Sequence, residues 1–304
     1  MVNLKSLIPT AYIYQKLISV KITLQNHLIS ATIQSKGAEL CSLQTLANSR
    51  EFLWQADPAH WAKHAPVLFP IVGKLKQNTY HHEGKSYILP RHGFAREMDF
   101  LLLEQTKSKA VFQLCSSSKT KGLYPFDFDF QICYQVHENQ LQTIYSLINL
   151  GKEKMYFNVG AHPAFALPLD FSAYSIVFPM DSNLITHELA EELISKTTHE
   201  IHLKNHTLPL AYSLFEKDAL IFKQLESNLV TICENERPFL QVSFADFPNL
   251  GIWTKPQAPF ICIEPWLGYA DTTDASGVLE EKEGIQSLAA GCTKTVEFTT
   301  TLFA

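Results

Sequence analysis

The spacing of apolar residues constrains this chain most: its apolar runs are short, alternate with polar residues at every second position, and end in turn-forming residues. VKITLQN (20–26) and LISATIQ (28–34) show the pattern, with Asn26 and His27 between them as a tight connection. DFLLLE (99–104), AVFQLC (110–115), FDFQICYQV (128–136) and QLQTIYSLINL (140–150) repeat it, and HENQ (137–140) reads as a hairpin turn. Further runs of this kind continue to the closing TVEFTTTLF. A sustained period of 3.6 is missing, so helices are expected only as short pieces near DPAHWAKH (57–64) and AYSLFEKD (211–218). Many short strands with few helices predict an all-β fold, a large β-sandwich. No linker rich in Gly, Pro or Ser and no repeat of fixed period divides the chain. Residues 20–304 are therefore read as one domain and residues 1–19 as an N-terminal extension.

Composition narrows the partners. The chain is 46% hydrophobic and 18% charged, against about 25% charged in an average domain, and it holds 20 Phe and 11 Tyr, which suits a thick buried core. Its net charge is −5 and its Lys and Arg are scattered, so no basic stripe supports nucleic-acid binding. No uninterrupted apolar run reaches the ~18 residues of a membrane span, and the N-terminus lacks a clean signal-peptide core. A cytoplasmic protein with a neutral or mildly charged small-molecule partner is expected. The six cysteines show no C-x-x-C spacing and are expected to be buried reduced thiols. The histidine-rich THEIHLKNH (198–206) is a poor metal site, because in a strand His199 and His202 point to opposite faces. A Gly-rich phosphate loop and a serine-hydrolase elbow are both missing.

Four segments break the strand texture with Pro, Gly, aromatic and polar residues: APVLFPIVGKL (65–75), RHGFARE (91–97), VGAHPAFALP (159–168) and CIEPWLGYAD (262–271). Such a mixture at strand ends suits an apolar pocket with a few convergent polar groups. His162 and Glu264 each precede a proline, which restricts the backbone to extended conformations and narrows where the side chain points. Fixed direction serves proton transfer, where a misplacement of ~1 Å is costly. Either dipeptide alone more often simply ends a strand at a surface turn. His92 lies beside Gly93, which leaves room for close approach of a ligand, and Lys74 follows Gly73. Trp266, Phe94 and Phe165 are candidate platforms for the apolar face of a ligand.

In order and spacing, PVLFPIVGKL, YHHEGKSYILPRHGFARE, NVGAHPAFALPL and CIEPWLGYADT resemble the aldose 1-epimerase family, in particular its LacX-like branch, from about residue 20 onward. The resemblance implies a galactose-mutarotase-like β-supersandwich with a sugar site in an open cleft and no metal or organic cofactor. It implies that His162 protonates the sugar ring oxygen and that Glu264 takes the proton of the anomeric hydroxyl. His92 is then a substrate-binding group, and Arg96 of the same motif joins it. Lys74 stands where many relatives have arginine, keeping the charge and losing the planar two-pronged geometry. The aspartate that galactose-specific members use has no match, so galactose specificity is not implied. The partner is a small-molecule sugar, an aldohexose or its phosphate, and the protein a monomer or homodimer.

The expected mechanism places His162 and Glu264 facing each other across a sugar-sized gap, with a nearby carboxylate keeping the imidazole protonated. Two alternatives stay open. One is a hexose-6-phosphate 1-epimerase in which Arg91 and Arg96 meet the phosphate, although the first motif lacks the arginine-rich Gly-Gly-Ile-Pro form of that branch. The other is a non-catalytic carbohydrate-binding or sensing protein.

Overall fold

The structure, a computed structural model, describes residues 20–303; the expected extension over 1–19 lies outside them. Alternation of apolar and polar residues becomes alternation of buried and exposed ones. Gln140–Asn149 turns Leu141, Thr143, Tyr145 and Leu147 inward, and pairs with Phe128–His137 through a two-residue turn at Glu138 and Asn139. Asn26 closes the first hairpin: its side-chain oxygen accepts from the amides of Leu28 and Ile29 at 2.7 and 2.9 Å.

Two large antiparallel sheets carry the fold. The first has nine strands, in the spatial order 207–209, 174–177, 229–234, 237–243, 293–302, 140–149, 128–137, 109–115 and 101–105. The second has six and holds the strands 220–222, 249–253, 260–267, 159–161 and 67–68 in that order, with 164–166 also paired to 260–267. Phenylalanines fill much of the core. Phe69, for example, lies 5.1 Å from Phe128 and 4.7 Å from Phe130 between ring centroids. Burying one such side chain contributes about 1.5–3 kcal/mol. The result is an all-β supersandwich, as its alternation predicts.

One strand of the second sheet is covered on both faces and carries polar groups into the interior. Phe260–Leu267 is buried at every residue. Ile261, Ile263 and Leu267 join the main core. By the period of two, Phe260, Cys262, Glu264 and Trp266 leave the opposite face, where Trp54, Trp61 and Trp253 pack around Phe260 and Cys262.

Some local expectations change. Residues 57–64 form a turn rather than a helix, because the Asp57 carboxylate accepts from the Ala59 amide at 2.9 Å and its carbonyl accepts from His60 and Trp61. Near 211–218 the helix is a single 3₁₀ piece, Tyr212–Phe215. Cys41, Cys233 and Cys262 are buried, but Cys115 and Cys292 are exposed, so burial does not hold for all six thiols. Among the described residues no helix is long and apolar enough to cross a membrane.

Candidate functional site

Strand register brings His162 to Glu264. Gly160 pairs with Trp266 and Ala164 with Cys262, so His162, between the two short strands, stands level with Glu264 across the ladder. Cross-strand neighbours share a face. His162 Nε2 lies 3.3 Å from Glu264 Oε2, and the two residues are only 8% and 1% exposed. They stand side by side on one wall, so the expectation of a sugar-sized gap between them is corrected.

That wall borders a cavity of about 300 Å³, at the small end of ligand pockets, lined by Trp61, Arg91, His92, Arg96, His162, Ala219, Trp253, Lys255, Glu264 and Trp266. Trp61 stacks on the His162 imidazole, with centroids 4.9 Å apart and planes at 26°, and Trp253 meets the same ring edge-on at 5.7 Å. Trp266 lies across Gly160 and Gly251. A Cβ at Gly160 would come within 2.7 Å of its Cδ1, and one at Gly251 within 2.5 Å of its Cζ2, so both positions must lack a side chain for the indole to lie there.

The polar groups of the pocket are incompletely matched. Glu264 Oε2, His162 Nδ1 and Trp266 Nε1 are buried without a well-formed hydrogen bond, although Oε2 lies 3.3 Å from His162 Nε2. A buried polar atom without a partner costs about 1–3 kcal/mol, so three of them around one cavity point to a polar ligand.

Burial also sets the charges. It pushes the Glu264 carboxyl well above the ordinary carboxylate range, against the opposing pull of the Arg91 guanidinium. Burial, helped by Arg91, pushes the His162 imidazole down to about 3. Both shifts favour the uncharged forms, a carboxylic acid beside a neutral imidazole. In both shifts burial is the leading cause.

His92 is 5% exposed, its ring 5.7 Å from that of His162, and burial holds its imidazole well below the usual range. Its Nδ1 accepts from the Gly73 amide at 3.1 Å, while Arg91 Nε approaches its Nε2 at 3.2 Å. A neutral imidazole has one acceptor nitrogen, and the backbone amide is always a donor. The Arg91 guanidinium is a permanent donor as well, so both contacts bring a donor to the ring and a neutral imidazole accepts only one of them. Gly93 is required for a different reason than ligand approach: a Cβ there would lie 2.2 Å from the Phe69 carbonyl oxygen.

The expected residues thus divide. His162, Glu264, His92, Arg96 and Trp266 line one pocket. Lys74 does not; its ammonium pairs with Glu192 at 2.7 Å and donates to the Glu191 carbonyl at 3.2 Å. Glu191 and Glu192 form the turn of the hairpin Asn183–Ala190 and Leu193–His202, and Glu192 also binds Arg91 at 2.6 Å. Phe94 and Phe165 are core residues, 6% and 0% exposed, not platforms. Sequence reasoning missed Trp61, Trp253, Ala219 and Lys255. Trp61 and Trp253 carried one usable signal, as two of only four tryptophans in the chain, but nothing local gave their convergence. His199 and His202 bind Glu188 and Asn183, consistent with their expected divergence.

An antiparallel supersandwich with a buried His–Glu pair in a tryptophan-lined pocket belongs to the galactose mutarotase-like class. A sequence model of aldose 1-epimerase matches residues 20–285, and the chain belongs to the aldose 1-epimerase family. It is 33% identical over 276 residues to the chromosomally encoded LacX protein of Lactococcus lactis, covering 86% of this chain and 92% of that one. Two solved structures are similar throughout. A galactose mutarotase related enzyme from Lactobacillus acidophilus has a TM-score of 0.90 at 35% identity, covering 94% of this chain and 98% of that one. A galactose mutarotase-like protein from Lactobacillus casei has a TM-score of 0.89 at 30% identity, covering 93% and 100%.

Proposed function

We propose that the protein is an aldose 1-epimerase, interconverting the α and β anomers of an aldose by acid–base ring opening and closure, with His162 and Glu264 as the proton-transfer pair. The observation that carries this reading is their contact at 3.3 Å on the wall of a sugar-sized pocket. The anomeric hydroxyl oxygen and the ring oxygen are bonded to the same carbon, so an acid and a base serving both must stand close together. Side by side suits that chemistry better than opposition across a ring.

The charge states complete a cycle. When sugar binds, a proton passes within the pair to give imidazolium and carboxylate. Glu264 then accepts the anomeric hydroxyl proton as His162 donates to the ring oxygen; the C1–O5 bond breaks and the C1 carbonyl forms. The pair is left as carboxylic acid and neutral imidazole, the forms that burial favours. After rotation about C1–C2, the reverse transfers close the ring on the other face. His92 and Arg96 are the hydroxyl-binding groups in this reading, and Trp61, Trp253 and Trp266 the walls against the sugar's C–H surface.

A second reading rests on charge: Arg96 and Lys255 line the pocket together with Arg91, itself paired with Glu192, against one lining carboxylate, Glu264, and this favours a sugar bearing an anionic group. Polarimetry of freshly dissolved α-glucose and α-galactose, repeated with glucose 6-phosphate as competitor, tests both. Acceleration above the blank supports the epimerase. Strong competition by the phosphate ester selects the second substrate class. No acceleration across a panel of aldoses and their phosphates refutes catalysis and leaves a sugar-binding protein.

A further inference from the structure

A third donor stands behind the proposed proton-transfer pair. Cys262 precedes Glu264 by two positions on the strand Phe260–Leu267, so its side chain leaves the same face. Across the ladder it pairs with Ala164, two residues from His162. One donor atom from each of His162, Cys262 and Glu264 lies within 4.8 Å of the others, and the three residues are 8%, 0% and 1% exposed. Glu264 Oε2 lies 3.3 Å from His162 Nε2 and makes no well-formed hydrogen bond there.

We propose that His162, Cys262 and Glu264 form a binding site for a thiophilic divalent cation of the zinc type, acting as an inhibitor and not as a cofactor. One thiolate, one imidazole and one carboxylate are the donor types zinc takes, and three protein ligands leave a fourth position toward the pocket. Calcium and magnesium require more ligands, all oxygen, and this wall does not supply them. Tetrahedral zinc at about 2.0–2.3 Å from each donor needs donor separations of roughly 3.5 Å, so the side chains draw together by about 1 Å on binding. The thiol and the carboxyl release their protons as the cation enters, so binding strengthens as pH rises. Its inhibitory consequence rests on the epimerase reading, since a metal held by His162 and Glu264 takes both from proton transfer. The binding itself does not.

Two measurements on the full-length protein, freed of metal by chelation, separate these levels. The first is titration with Co²⁺, read as thiolate-to-cobalt charge transfer in the near ultraviolet. We expect the band in the native protein, its displacement by Zn²⁺, and its loss in Cys262→Ala and Cys262→Ser. A band that survives in both variants belongs to another thiol, such as exposed Cys115 or Cys292, and overturns the site. So does the absence of any band up to about 1 mM Co²⁺. The second is Zn²⁺ inhibition of mutarotation. We expect reversal by chelator and an inhibition constant about tenfold or more weaker in Cys262→Ala, with the metal-free rate unchanged. Equal inhibition of native and variant protein overturns the proposal. Far-ultraviolet circular dichroism confirms that each variant is folded, and the serine variant serves if the alanine one is not. A protein that binds cobalt through Cys262 but accelerates no aldose refutes the epimerase reading alone.

Discussion

Glu264→Gln separates catalysis from stability at one buried position. The substitution keeps the side chain's shape and replaces an ionisable group by a neutral one. Glu264 is 1% exposed and its carboxyl is held well above the ordinary range, chiefly by burial. Because the folded-state value is raised, the folded protein holds a proton that the unfolded chain releases above about pH 4.3. The group's contribution to stability is therefore full below that value and is lost as pH rises toward the raised one. Glutamine carries no such dependence. The variant should melt at or above the native temperature at pH 7–8, with the advantage narrowing toward about pH 4, the ordinary carboxylate value. A positioned acid or base is worth about 10²–10⁴ in rate, or about 2.7–5.4 kcal/mol of barrier, so kcat/KM for mutarotation should fall by that factor. Polarimetry and thermal melts across pH measure both on one preparation. Activity within about tenfold of native would refute the catalytic assignment. A melting temperature lower than native, with the deficit growing from pH 5 to pH 8, would refute the burial argument.

The acid limb of kcat/KM, corrected for the spontaneous reaction, should show no inflection at the ordinary histidine value of about 6.5, since His162 is pushed down to about 3; an inflection there that vanishes in His162→Asn contradicts the buried, neutral imidazole. Trp61→Ala removes the ring stacked on His162 at 4.9 Å. Aromatic contacts of about 0.5–1.5 kcal/mol predict a two- to tenfold rise in KM, and an unchanged KM removes Trp61 from the sugar wall. Gly251→Ala puts a methyl 2.5 Å from Trp266 Cζ2 and should cost about 1–3 kcal/mol in thermal or urea unfolding. That cost should shrink in a Trp266→Ala background, and full additivity would show that the clash is not with Trp266.

Much of the molecule was readable from residue order because the relevant physics is local. A period of two fixes which side chains share a face, and turn residues such as Asn26 close their hairpins with their own side chains. The all-β class and the two main hairpins come from this. So does the suspicion that His162 and Glu264, each stiffened by a following proline, carry chemistry. The turn at 57–64 was not legible because Asp57 captures nearby amides that a helix pattern assigns elsewhere.

Other features depend on which strand lies beside which, and long-range pairing decides that. Register sets His162 level with Glu264 in contact instead of across a gap, and it brings Cys262 alongside them. A distant hairpin delivers Glu192 to Lys74 and Arg91, withdrawing the lysine from the pocket where its motif suggested it belonged. Phe94 and Phe165 carry the same aromatic chemistry as Trp61 and Trp253, yet one pair fills the core and the other lines the cavity. The two missed tryptophans and the charge states of the buried pair belong here too. Residue order states which way a side chain leaves its strand; only the folded sheet supplies what stands opposite, and how much water has been excluded between them.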